Sequence, residues 1–269
     1  MKEEKAVWSW LVGAIFAIGI GAAYYWYFVE RETVPEPTPV QPPAAEAQAP
    51  PQPKAEPQIQ HPIEEAQAQP LPALGESDAA MKDALAELLG AKPLRELINL
   101  DGIIRRIVAT VDNLPREKLA QRHMPVKRVE GRFVVSGADQ SLVIGAQNYA
   151  RYGTYVRLAE ATDARKLVAL YVRFYPLFQQ AYRELGYPTG YFNDRLVEVI
   201  DHLLASPEAA PPVKLVQPHV AYQFADPELE SRSAGHKIMI RIGSDNAGRV
   251  KAKLREIRRE LTSRSPGKS

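Results

Sequence analysis

Between Trp8 and Phe28 the chain carries no charged side chain, and this stretch constrains everything that follows it. As an α-helix rising ~1.5 Å per residue it is about 30 Å long, the thickness of a bilayer's hydrocarbon core. Trp8 and Trp10 stand at one end and Tyr24, Tyr25, Trp26, Tyr27 and Phe28 at the other, where amphipathic rings settle at the two lipid-water boundaries. The expectation is a single transmembrane helix over residues 8–29, with the lipid bilayer contacting Trp8 to Phe28. Lys2 and Lys5 precede the span and only Arg31 follows closely, so the positive-inside tendency leaves the short tail 1–7 in the cytoplasm. A cleaved secretory signal is the rival reading, because Leu11 to Ala23 has the right length and Gly21, Ala22 and Ala23 are small. Cleavage there would leave five consecutive aromatic residues as an exposed N-terminus, which is costly in water. Either reading exports the rest of the chain. Gly13, Ala17 and Gly21 recur at four-residue spacing on one helix face, which would let a second copy approach closely as a homodimer. Small residues are also ordinary in membrane helices.

From Val34 to Pro72 about a third of the residues are proline and most others are Ala, Gln or Glu. Such a composition cannot bury a core and favours extended polyproline conformations, so residues 30–72 read as a disordered, proline-rich linker. Fully extended at ~3.1 Å per residue, Val34 to Pro72 would reach on the order of 120 Å. Charge changes sign at this boundary. Residues 1–72 hold four of the 34 Lys and Arg and nine of the 32 Asp and Glu, which leaves 30 basic against 23 acidic residues beyond. Eight of the basic ones lie in "GRVKAKLREIRRELTSRSPGKS", against only Glu256 and Glu260. That surplus suits an anionic partner, or a plain solvated helix face. An exported domain does not meet nucleic acid, so none is expected. The chain has no cysteine, which excludes disulfides and thiolate metal sites.

Within residues 73–262 the apolar spacing is chiefly helical. Ser77 or Asp78 would cap a helix carrying Met81, Leu85, Leu88 and Leu89, stopped by Gly90. Ile104, Ile107, Val108 and Val111 form a second stripe that ends before Pro115. "GRFVVSG" reads as a brief strand. Tyr149, Tyr152, Val156 and Ala159 mark another helix despite Gly153. Asp163 caps a longer one through Leu167, Leu170, Tyr171, Phe174, Phe178, Ala181 and Tyr182, in which Pro176 predicts a kink. In "LGYP", Gly186 supplies a left-handed residue, Tyr187 folds back on Tyr182 and Pro188 prevents continuation. The rings of Phe174 to Pro188 therefore read as packing that ends a helix rather than as a ligand-gripping surface. Phe192, Leu196, Ile200 and Leu203 give the next stripe. "VKLVQPHVAYQF" suggests one or two short strands, pairing with the segment around Phe133. Residues 236–243 fit either a strand through Ile238, Ile240 and Ile242 or a short helix capped by Ser233. Val250, Leu254, Ile257 and Leu261 complete a final amphipathic helix. The fold class expected is mainly α, a compact helical domain with at most a few short strands, followed by a disordered basic tail at 263–269.

No glycine loop for nucleotides, serine elbow or paired-histidine motif occurs in the domain, so no cofactor and no metal are expected. Glu198 and His202 sit four apart on one helix face, a spacing that a surface ion pair explains as well as a partial metal site. Catalytic candidates are Asp226 and Glu228 with Arg241, and Asp112 and Glu230 are further carboxylates. "DPELE" equally reads as a helix start, with Asp226 as cap and Pro227 as first helical residue. Binding candidates are Tyr149, Arg151, Tyr152 and Arg157 on one helix, with Arg183 at the rim of the aromatic stretch. Arg and Tyr are the side chains that binding surfaces favour, although core tyrosines with rim arginines give the same pattern.

"NYARY", "YPLFQQAYRELGYP", "FADPELE" and "RIGSDNAGRVKAKL", in this order, resemble an uncharacterised family of proteobacterial membrane-anchored proteins, domain of unknown function 3014, over Leu71 to about Leu261. The resemblance implies a short N-terminal segment, one inner-membrane span, a proline-rich linker and a periplasmic domain. It differs before the last helix, where "SAGHKIMIRIG" replaces a continuous Lys-Leu-Leu-Arg-Met-Gly helix. The resemblance carries no activity and no catalytic residue. The reading is thus a membrane-anchored binding or scaffold protein of the bacterial cell envelope, its partner an anionic envelope component or an envelope protein. The alternative is an envelope-polymer hydrolase with a carboxylate-based site.

Overall fold

The structure is a computed structural model, and it describes residues 58–63, 70–138 and 141–263. The chain divides into Met1–Ala55 and Glu56–Ser269, and the described residues all fall in the second unit. The expected span at 8–29, its dimer face at Gly13, Ala17 and Gly21, and most of the linker lie outside them. Among the described residues no helix is long and apolar enough to cross a membrane.

Nine α-helices and two short antiparallel strand pairs make up the described domain: α1 (Asp78–Leu89), α2 (Ala91–Leu97), α3 (Ile103–Asn113), β1 (Val135–Ser136), β2 (Val143–Ile144), α4 (Gln147–Ala161), α5 (Ala164–Glu184), α6 (Phe192–Leu204), β3 (Leu215–Val216), β4 (Gln223–Phe224), α7 (Pro227–Glu230), α8 (Ala234–Arg241) and α9 (Ser244–Ser263). The domain is mainly helical, as the spacing predicts.

α5 is the central element. Its apolar arc is wide enough to bury Val168, Tyr171, Phe174, Tyr175, Leu177, Phe178, Ala181 and Tyr182, against Ile104 and Val108 of α3, Phe192 and Ile200 of α6, Met81 of α1 and Leu261 of α9. Phe178 stacks on Phe192 at 5.9 Å, and Tyr182 on Tyr187 at 4.5 Å. Gly186 takes φ +117°, a conformation that side chains resist, and this reverses the chain so that the Tyr187 ring can fold back. The aromatic stretch is therefore core. The helix assignment runs through Pro176 from Ala164 to Glu184, with Pro176 exposed between buried Tyr175 and Leu177. The two buried faces on either side of it hold the turn in place.

Three caps behave as their sequence signatures predict. Asp163 accepts from the Lys166 N–H, Asp226 from Glu228 and Ser233 from His236. The last of these resolves residues 236–243 in favour of helix, with Gly243 at φ +88° as its terminator. Asp78 does something else. Its carboxylate accepts from the N–H groups of Gly102 (2.7 Å) and Ile103 (3.3 Å), so it caps α3 across space rather than its own helix. α2 was not anticipated either. It starts directly after Gly90, and Pro93 falls in its first turn, where no N–H is required.

The strands form a small second core. β1 pairs with β2 in the register Val135↔Ile144, and β3 with β4 in the register Leu215↔Phe224. The Val143↔Lys214 bridge joins the two pairs. The segment around Leu215 thus lies against β2 rather than directly against the Phe133 segment, although the Tyr222 ring still reaches Phe133 at 5.9 Å. Ile144, Val213, Leu215, Phe224 and Ile240 bury this layer.

Candidate functional site

Most sequence-predicted site residues are spent on the fold. Arg151 donates to Asn148 Oδ1 and to the carbonyls of Glu130 and Gly131, stapling the loop before β1 onto α4. Tyr149 lies flat over Gly243, where an added Cβ would fall 2.6 Å from its ring. Tyr152 packs on the Met239 cluster. Arg157 is exposed and donates to Thr154 Oγ1 on its own helix, and Arg183 is exposed on α5. Asp226 and Glu228 are exposed at the start of α7, the first acting as cap. Arg241 covers the Phe224 ring at 5.2 Å and points to the Tyr222 carbonyl. Glu230 bonds the Phe224 N–H and Lys237. Glu230 and Arg241 thus both meet β4 at Phe224, whereas Tyr149, Arg151 and Tyr152 on α4 serve Gly243, the loop before β1 and the Met239 cluster.

His202 is engaged by Ser233 and His236. Its Nε2 lies 2.7 Å from the Ser233 hydroxyl, and its ring stacks on His236 at 4.1 Å. Burial holds the His202 imidazole below its ordinary value, His236 and Arg195 add to the shift, and Glu198 opposes it. The pair has the spacing of a nucleophile and its base, but the N–H groups at the start of α8 are consumed by the Arg116 and Leu114 carbonyls and by Ser233 itself. No donor is left there to stabilise an oxyanion. Ser233 and His202 lock α8 onto α6. Among the described residues no group of three or more His, Cys, Asp or Glu is placed to hold a metal.

Asp112 is the best-defended carboxylate, with its side chain 3% exposed. It receives Arg116 at 2.7 Å, Arg195 at 3.4 Å and the Tyr187 hydroxyl at 3.2 Å. Burial pulls the Arg195 guanidinium down, but the hydrogen bond to Glu198 and the charges of Glu198 and Asp112 outweigh it and hold Arg195 above its ordinary value. This cluster joins α3, α6 and the turn after α5.

Part of the C-terminal basic run is spent on intramolecular contacts. On α9, Lys251 is buried and donates to the Ser206 carbonyl, Lys253 meets Thr162 O and Glu256, Arg249 pairs with Glu160 and Arg258 with Asp201. Arg255 and Arg259 remain exposed. A second basic surplus lies in residues 92–132, which hold ten Lys and Arg against five Asp and Glu. Two of the ten are ion-paired, Arg105 to Glu184 and Arg116 to Asp112. Around the loop that follows α3, three of the others are held by neutral acceptors. Arg106 donates to the carbonyls of Asp101 (2.7 Å) and Arg122. Lys127 Nζ donates to the Arg95 carbonyl at 2.7 Å, and Arg128 Nε to Gln121 Oε1 at 2.5 Å. The Ile98↔Val126 bridge fixes that loop to the end of α2. A carbonyl positions a cation without cancelling it, whereas a carboxylate does both. Arg106, Lys127 and Arg128 are therefore positioned by neutral acceptors rather than by carboxylates, an arrangement of cations in the loop after α3. Sequence reasoning missed it because the C-terminal helix has the denser run of basic residues.

The described residues form a mainly helical domain whose loop after α3 holds Arg106, Lys127 and Arg128 on neutral acceptors. The chain belongs to the family described as protein of unknown function (DUF3014), whose model matches residues 103–258. That match is narrower than the folded unit, since α1 and α2 lie before it yet bury Met81 and Leu94. No curated protein and no solved structure matches the chain.

Proposed function

We propose that this protein is a single-pass, membrane-anchored binding or scaffold protein of the bacterial cell envelope, whose domain recognises an anionic envelope component through the basic surface of residues 92–132. The N-terminal run Trp8 to Phe28 supports an inner-membrane anchor with a cytoplasmic N-terminus and a periplasmic domain. The observation that carries the binding reading is that Arg106, Lys127 and Arg128 are anchored to carbonyl and amide oxygens. Their orientation is already fixed while their charge stays available, which lowers the entropic cost of meeting a phosphate or carboxylate. The partner class is a component bearing such groups, as lipid headgroups and acidic glycans do.

The test uses the purified full chain in detergent, presented with phosphatidylglycerol vesicles, zwitterionic vesicles and an acidic polysaccharide. Binding to at least one anionic probe is expected, with a loss of about tenfold or more on combining Arg95→Gln, Arg122→Gln, Lys127→Gln and Arg128→Gln. Equal binding by variant and parent, or no preference for anionic probes, would overturn the reading. Placement is tested separately: a reporter fused after Ser269 should be active outside the cytoplasm, and the chain should stay with membranes through an alkaline wash. Activity confined to the cytosol would refute it.

A further inference from the structure

The sequence places residues 58–63 inside the proline-rich linker, yet they are held against the start of α6 by a set of main-chain contacts. Asp194, in the first turn of α6, accepts two consecutive N–H groups on its two carboxylate oxygens, from Gln60 (2.9 Å) and His61 (2.7 Å). The side-chain amide of Asn193 donates to the His61 carbonyl at 2.8 Å. The Tyr191 hydroxyl accepts from the Ile63 N–H at 2.7 Å. Between those donors stands Pro62, which has no N–H to satisfy. Every main-chain donor from Gln60 to Ile63 thus has a domain acceptor, and the one residue facing none is the one that needs none. Ile63 and Leu71 then pack on the main core.

The receiving side is equally committed. Asn193 is 0% exposed, its Oδ1 is taken by the Tyr171 hydroxyl at 3.3 Å, and its Nδ2 has the linker carbonyl as partner. Without the linker segment a buried amide would lose that acceptor, at the cost such groups carry. From these contacts we infer that Tyr191, Asn193 and Asp194 form a peptide-binding site that reads the backbone of a bent segment with proline at its third position, and that its occupant is this chain's own Gln60–Ile63. The recognition is of main chain, with apolar Ile63 as the side-chain anchor, and covalent linkage gives the segment a high effective concentration at its site. On the anchored reading above, the latch cuts the reach of the proline-rich segment from residues 34–72 to 34–57, from about 120 Å to about 75 Å at ~3.1 Å per residue. The latch itself does not depend on that reading.

Hydrogen exchange on the full chain tests it. The amides of Gln60, His61 and Ile63 should exchange at least about tenfold slower than their intrinsic unfolded rates. Asp194→Ala should return Gln60 and His61 to those rates while the amides of α5 keep their protection. His61→Pro, a linker-side change that cannot unfold the domain, removes one of the two N–H groups and should release the segment in the same way. Unprotected amides at 60, 61 and 63 in the parent chain, or protection unchanged by His61→Pro, would overturn the inference.

Discussion

Gly243 shows how much one position can fix. At φ +88°, with the Tyr149 ring where a Cβ would go, Gly243→Ala carries both backbone strain and a clash. It should cost about 2 kcal/mol or more, seen as a lowered midpoint in thermal unfolding, and an unchanged midpoint would contradict the packing described. His202 makes a prediction in pH. Its folded value is lowered by burial, by His236 on α8 and by Arg195, against Glu198, so the folded state binds fewer protons than the unfolded one. Its contribution is fully present above the unfolded value of about 6.5 and is lost as pH falls through the folded value. Urea unfolding near pH 7.5 and below about pH 5.5 should show stability falling with acidification, and falling less in His202→Ala. Parallel losses in both would refute the assignment. At this scale the sequence discloses residues whose partners are local. Asp163, Asp226 and Ser233 cap within three residues, and their signatures are read directly. Asp78, Asn148, Gln179 and Asn193 are opaque because their partners are remote. Gln179, for example, takes the Tyr175 hydroxyl and the Phe192 N–H on one oxygen and gives its amide to Gly190.

Among the elements, α5 and the final helices are legible because a wide apolar stripe imposes its own period. α2 is hidden by Gly90 and Pro93, which carry a stop signal and a first-turn signal in the same four residues. The strands are two residues long, too short for alternation to declare a partner, so β2 between the two pairs comes from tertiary contact alone. The Asp112 cluster is where elements are joined by charge. Asp112→Ala would leave Arg195 and the Tyr187 hydroxyl facing a partly buried void. Breaking a buried pair from one side costs on the order of 3 kcal/mol, and the loss should appear in equilibrium unfolding as a shifted midpoint. The exposed pair Arg105–Glu184, at 3.0 Å with both side chains near half-exposed, should cost under about 1 kcal/mol when broken. Equal effects from the two would contradict the weight placed on burial.

For the molecule as a whole, the sequence conveys net charge but not its distribution after folding. The C-terminal run looks like the basic pole, and four of its eight cations, Arg249, Lys251, Lys253 and Arg258, serve as intramolecular staples. In the loop after α3, Arg106, Lys127 and Arg128 are instead held by carbonyl and amide oxygens. The binding candidates Tyr149, Arg151 and Tyr152 suffer the same fate as α9, since a side chain suited to gripping a ligand is equally suited to gripping a neighbouring loop. The account therefore makes a spatial claim about charge, and the most direct test is the salt dependence of binding to whichever anionic probe the full chain retains. Between about 50 mM and about 500 mM salt, where screening length falls severalfold, the parent should lose affinity steeply. The combined Arg95, Arg122, Lys127 and Arg128 glutamine variant should show a shallow slope, while Arg255→Gln with Arg259→Gln should keep the parent's slope. A slope flattened by the α9 pair and untouched by the loop variant would contradict the account.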